Sequence, residues 1–235
     1  MRHASEGPVQ LSAATNVAVI AACAVVSWFI LSHRPSALRS SDTEAPLPSR
    51  PVSLEGAHLR GSATAPVALL EYSEFQCPFC GQFARETLKD LEATYVDSGR
   101  VLLAFRHFPL SGHDRAMPAA QAAECAGHVG SFWQMHDRLF ANQHDLSQEN
   151  LGRLASSLGI GPPEFATCLD TVVQDVNADV TLGRALGVTG TPTFFVGTIG
   201  VDHRVTVTDR IAGARPANEF RAVLNKLLKQ KGSLP

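Results

Sequence analysis

The tetrapeptide Cys77-Pro78-Phe79-Cys80 does most to limit what this chain can become. It follows closely on the apolar run Pro66-Val67-Ala68-Leu69-Leu70-Glu71-Tyr72, whose length and continuity predict a buried strand. Two cysteines separated by two residues can close a small, reducible disulfide. A strand leading straight into them sets the first sulfur at a helix start, where free backbone N–H groups and the helix dipole stabilise a thiolate. Pro78 suits the first helical turn, because its missing N–H costs nothing there. Cys77 is therefore expected to be the nucleophile and the more exposed of the two, and Cys80, one turn in, the buried resolving thiol. A structural zinc needs four ligands, and no second Cys-x-x-Cys or closely spaced histidine pair follows. Structural disulfides normally close longer loops. The pair thus reads as redox-active, with no metal and no cofactor.

The rest of the chain alternates strand and helix signals around this point. Apolar or small residues at Phe83, Ala84, Leu88, Leu91 and Tyr95 have helical spacing, and Ser98-Gly99 ends that helix. Val101 to Phe108 reads as a second strand, so strand, helix and strand form a βαβ unit. A helical stretch follows, with segments expected over Asp114–Ala126, Ser131–Gln143, from Ser147 to Leu158-Gly159, and from Pro162 to about Leu186. Strand character returns at Thr193–Val196 and His203–Val207. A last helix, Ala217–Lys229, carries Phe220, Val223, Leu224, Leu227 and Leu228 on one face. A helical block of roughly 75 residues therefore interrupts a small α/β sheet.

The N-terminus has a different character. No residue between Glu6 and Arg34 carries a full charge, and Val17 to Leu31 is nearly all apolar. Residues 11–31 reach the roughly 20 mainly apolar residues that a membrane-spanning helix needs. The expectation is a single uncleaved anchor. A cleaved signal peptide and a lipidation box at Ile20-Ala21-Ala22-Cys23 are the alternatives, and all three put the rest of the chain outside the cytoplasm. The Pro- and Ser-rich stretch up to Pro51 reads as a linker. The formal net charge of −2 shows no basic excess, so nucleic acid is not an expected partner.

Gly190-Thr191-Pro192-Thr193 lies just before a strand, where proline is tolerated. A cis bond there would aim backbone acceptors at the sulfur. Glu71, closing a buried strand, would have a raised pKa and could pass a proton to or from Cys80; a solvent-facing strand end is the alternative. Glu74 is expected to be exposed, and His107, His113 and His136 to be structural or surface groups. With the redox pair bonded internally, Cys125 and Cys168 can form a second, structural disulfide in an oxidising compartment; two buried free thiols are the alternative.

The segment Glu71 to Cys80, the helical insertion and Gly187-Val188-Thr189-Gly190-Thr191-Pro192-Thr193 together resemble the DsbA-like thioredoxin family. The likeness covers about Val52 to Leu228. It implies an α/β thioredoxin fold over residues 52–110 and 187–230 with an inserted helical domain over 111–186. An anchor over 1–34 and a linker over 35–51 would precede it. It further implies an extracytoplasmic bacterial thiol:disulfide oxidoreductase, membrane-bound and facing the periplasm, that gives its Cys77–Cys80 disulfide to reduced client proteins. By the same likeness Thr191-Pro192 is a cis-proline loop that docks substrate beside Pro78 and Phe79, Glu71 is the buried acid near the active site, and a quinone-linked membrane protein reoxidises the enzyme. Phe79 stands where the family's best-studied oxidases have histidine. A reductase or isomerase on the same fold is the rival reading, and a non-catalytic binding module the second rival.

Overall fold

A computed structural model describes residues 46–232. The expected membrane segment 11–31 and Cys23 lie outside the described residues. Among the described residues no helix is long and apolar enough to cross a membrane.

The centre of the fold is β3 (Val67–Ser73), all seven of whose residues are buried. A strand covered on both faces carries a continuous apolar run rather than an alternating one, which is what Val67 to Leu70 present. β3 pairs in parallel with β4 (Val101–His107) on one side and antiparallel with β5 (Thr193–Ile199) on the other. β6 (Arg204–Ala212) extends the sheet beyond β5. Two short strands complete the edges: β1 (Val52–Ser53) on β6, and β2 (His58–Arg60) on β4. The six-stranded order is β1-β6-β5-β3-β4-β2.

Alternation along β3 divides the core. Val67 and Leu69 pack with Phe83, Leu91, Phe194, Phe220 and Leu224 under α1 (residues 78–96) and α7 (Ala217–Gln230). Ala68, Leu70 and Tyr72 pack on the opposite face with Phe108, Val180 and Phe195. α1 is helical from Pro78 to Val96 but contains two π-helical turns, Phe83–Thr87 and Glu92–Val96, where the spacing alone predicts a uniform helix.

The insertion comprises α2 (Ala116–His128), α3 (Phe132–Ala141), α4 (Gln148–Ser156), α5 (Pro162–Thr171) and α6 (Val173–Ala185). The single helix expected from Pro162 to Leu186 is two helices, jointed at the fully buried Val172. The alanine face of α2 meets Met135, Leu139 and Phe140 in a third core cluster. That cluster also takes in Phe75 and Phe105 beside the Cys-x-x-Cys segment, so the insertion packs directly behind the redox pair.

Two polar anchors reinforce the joint between sheet and insertion. Arg106 on β4 and Asp179 on α6 form a buried ion pair, and Asp179 Oδ2 also accepts the His107 backbone N–H at 2.9 Å. Arg106 donates further to the Ser53 carbonyl at 3.3 Å and to that of Glu55, drawing in the segment after β1.

Candidate redox site

Cys77 is the N-cap of α1, with extended backbone (φ −64°, ψ 121°), and Pro78 opens the helix. The chain leaves β3, turns through the buried Phe75, and presents the Cys77 sulfur to the unpaired N–H groups of the first turn. The Cys77 thiol is pushed down to about 5. Its largest stabilisation is the hydrogen bond from Cys80. Burial opposes this, while the Thr191 side chain and the backbone N–H groups of Cys80 and Phe79 add to it. Cys80 is pushed well above the ordinary thiol range, first by burial and then by the neighbouring Cys77. One thiol is thus poised to ionise and its partner to stay protonated.

Cys77 is the more exposed member of the pair, as expected, but only narrowly: 3% against 0% for Cys80, so its sulfur is nearly covered. The Thr191-Pro192 bond is cis, and the Thr191 carbonyl accepts from Cys77 Sγ at 3.5 Å. Phe79, 60% exposed, offers an apolar surface next to the sulfur.

Glu71 and Ser73 lie on β3 behind the pair, both buried. Burial pushes the Glu71 carboxyl up to about 8, with Ser73 opposing the shift. Ser73 also lowers Cys80, so this hydroxyl acts on both the acid and the resolving thiol. Neither Glu71 oxygen has a hydrogen-bond partner among the described residues, and no direct bond joins Glu71 to Cys80.

Glu74 corrects the sequence reading: it is fully buried rather than exposed. Its carboxylate meets His113 Nδ1 and accepts the Gln76 backbone N–H at 2.6 Å. Burial raises the Glu74 carboxyl, and His113 partly offsets this. Gln76 in turn accepts the Arg115 N–H at 2.6 Å, tying the loop before α2 to the Cys-x-x-Cys turn. His107 and His136 are buried, and His113 is partly exposed.

Sequence reasoning missed Gln143, just beyond α3, which donates to the carbonyls of Phe75 and Cys77. No local pattern could have found it, since its partners are backbone atoms 66 to 68 residues earlier. Cys125 on α2 and Cys168 on α5 are joined by a disulfide of 2.09 Å, within the insertion. Cys77 and Cys80 are free thiols.

Residues 53–210 match the thioredoxin family Thioredoxin_4. The chain belongs to the thioredoxin family. In sequence the chain is 40% identical over 153 residues to a protein named Na(+)/H(+) antiporter NhaA 3 of Salinispora tropica, a match covering 62% of this chain and 22% of that one. It is 36% identical over 152 residues to Na(+)/H(+) antiporter NhaA 1 of Mycobacterium sp. (strain KMS), covering 63% and 24%. The matched region spans only about a fifth to a quarter of these relatives. Among solved structures it is similar to oxidised BdbD of Bacillus subtilis, with 27% identity, 78% of this chain and 98% of that one covered, and a TM-score of 0.67. It shares its fold with α-DsbA1 of Wolbachia pipientis, at 24% identity, 81% and 96% coverage, and a TM-score of 0.65.

Proposed function

We propose that this protein is an oxidising thiol–disulfide exchanger that passes its Cys77–Cys80 disulfide to reduced client proteins outside the cytoplasm. The observation that carries the reading is the Cys77 thiol held at about 5 beside a Cys80 held high. A strongly stabilised thiolate favours the reduced enzyme, and an enzyme stable when reduced is an oxidant.

The steps follow from the two thiols. A client thiolate attacks Cys77 Sγ in the oxidised pair; a new S–S bond forms, the Cys77–Cys80 bond breaks, and Cys80 leaves as a thiolate. Cys80 takes up a proton, for which Glu71, protonated below about pH 8, is the buried donor acting by way of the Ser73 side. A second client thiolate then attacks the client sulfur, expelling Cys77 as a low-pKa leaving group. The client gains a disulfide, and two electrons rest on the enzyme. The Thr191 carbonyl and the exposed Phe79 are the docking groups beside the reacting sulfur.

The apolar residues 11–31 and the Cys125–Cys168 bridge support an extracytoplasmic, membrane-tethered setting. Reoxidation by a quinone-linked membrane protein belongs to the same reading. Equilibration of the purified protein with glutathione buffers tests it. A reduction potential near about −120 mV is expected, and one near about −270 mV would make the protein a reductant. Cys77→Ala should abolish oxidation of a reduced client.

A further inference from the structure

On the side of the sheet covered by the insertion, three chemically matched side chains converge from three elements. His58 lies on β2, His107 at the end of β4, and Glu124 on α2. Both imidazoles bring Nε2 close to one carboxylate oxygen: His58 Nε2 is 2.9 Å, and His107 Nε2 3.0 Å, from Glu124 Oε1. All three ligand atoms lie within 4.8 Å of one another.

An ordinary hydrogen-bonded cluster accounts for only part of this. His58 makes a well-formed hydrogen bond to Glu124. His107 is completely buried; its Nε2 meets Glu124 at ion-pair distance, 3.0 Å, without well-formed hydrogen-bond geometry, and its Nδ1 has no hydrogen-bond partner among the described residues. A buried imidazole without a well-formed hydrogen bond is costly unless something else occupies its lone pair. The His58 ring is held in place by stacking on Phe132, with centroids 3.4 Å apart and planes within 5°. Gly127 makes room for that ring, since a Cβ there would come within 3.0 Å of His58 Cε1.

We propose that His58 Nε2, His107 Nε2 and Glu124 Oε1 form a binding site for a divalent cation of the zinc class. Two imidazoles and one carboxylate suit zinc and its neighbours, whereas calcium and magnesium take all-oxygen shells. Ligands about 2.0 to 2.1 Å from a tetrahedral zinc stand roughly 3.3 Å apart, so the observed 2.9 and 3.0 Å separations need only a slight opening. His58 is the partly exposed member and marks the way in. Three protein ligands leave a fourth position for water. A cation there would tie the edge strand β2 to β4 and the insertion, behind Phe75 and the redox turn. The site is invisible in the sequence because His58 and Glu124 are 66 residues apart.

The test uses the full chain, chelator-stripped and with Cys77–Cys80 oxidised, so that neither redox thiol can ligate metal. Titration with cobalt(II) should give one equivalent of binding with the visible bands of a four- or five-coordinate N/O site and no sulfur charge-transfer band. Zinc should displace it and raise the melting temperature. His58→Ala, and separately His58→Gln in case the smaller residue harms folding, should weaken cobalt binding about 10-fold or more, while the exposed His144→Ala should not. Binding unchanged in the two His58 variants would overturn the site. So would a sulfur charge-transfer band, absence of cobalt binding at micromolar concentration, or calcium binding more tightly than zinc.

Discussion

The side-chain amide of Gln143 donates to the carbonyl oxygen of Cys77 at 2.9 Å. The same amide nitrogen donates to Phe75 at 2.8 Å, so one residue of the insertion grips both sides of the turn that carries the nucleophile. Arg85 fixes the other end of that side chain, donating to Gln143 Oε1 at 2.9 Å. The contact needs Gly81, because a Cβ there would sit 1.8 Å from Gln143 Oε1. Gln143→Ala should therefore cost about 1–2 kcal/mol in denaturant unfolding. Gly81→Ala should cost a similar amount by pushing the amide aside. In the Gln143→Ala background, however, Gly81→Ala should cost much less, since only the flexible end of Arg85, whose Nη1 would lie 2.6 Å from the new Cβ, then has to shift, and the helix-propensity gain offsets it. Additive losses in the double variant would show that the two residues act separately.

The Cys77 thiol predicts a pH profile. With its folded pKa depressed to about 5, alkylation of reduced protein by iodoacetamide should be near its plateau at pH 7 and fall away below about pH 5. The stability consequence has a definite sign. The thiol is depressed from an unfolded value near about 8.5, so the stabilisation of the reduced form is complete above that value and is lost as pH falls through about 5. Reduced protein should resist urea better than oxidised protein at pH 8, with the gap closing toward pH 4. A gap that does not change with pH would leave the thiolate without its stabilising role.

Glu71 runs the other way. Its folded pKa, about 8, is raised above the unfolded value of about 4.3, so the folded chain keeps a proton that the unfolded chain gives up between those pH values. Stability is therefore lost as pH rises through that window. Glu71→Leu removes the buried carboxyl and should stabilise the protein at pH 8, on the order of 2 kcal/mol, with little gain at pH 4. The same variant should slow client oxidation if the carboxyl supplies the proton to Cys80. Equal gains at both pH values would place the benefit in packing rather than ionisation.

The parts of this site that were legible in sequence are those written in local order. Cys77 and Cys80 share a helix start, Val67 to Leu70 form a continuous apolar run, and Thr191-Pro192 precedes a strand. The parts that were not legible depend on residues far apart in the chain. β1 and β2 are two and three residues long and are held by pairing with β6 and β4, so no periodicity announces them. Glu74 falls just past the end of β3 and reads as a loop carboxylate, yet His113, 39 residues on, closes over it. The Pro162 helix breaks where Val172 is buried, a tertiary demand that its helical pattern does not record.

The Arg106–Asp179 pair should be among the least tolerant contacts in the molecule. Asp179→Ala leaves a buried guanidinium uncompensated and removes the acceptor of the His107 N–H. A loss of about 3–5 kcal/mol is expected, measured by denaturant unfolding of the oxidised protein. Replacing both partners with apolar residues should cost less than Asp179→Ala alone, because no charge is then stranded. If the single and double variants were equally damaged, the loss would come from packing rather than from the buried charge.

Cys125 and Cys168 close a loop of 43 residues across the insertion. On chain-entropy grounds a loop of this size contributes about 4 kcal/mol by restricting the unfolded chain. Replacing both cysteines with alanine should lower the unfolding free energy by up to that amount. It should leave the reduction potential of the Cys77–Cys80 pair close to its original value, since the bridge joins α2 to α5 while the hydrogen bonds at Cys77 come from Thr191 and Gln143. Thiol titration of the reduced-pair form under denaturing conditions gives the companion check. Two reactive thiols from the described residues are expected while the bridge is intact, and four would mean that Cys125 and Cys168 are not bonded. A large shift in potential without the bridge would mean that the insertion communicates with the redox turn through its packing on Phe75.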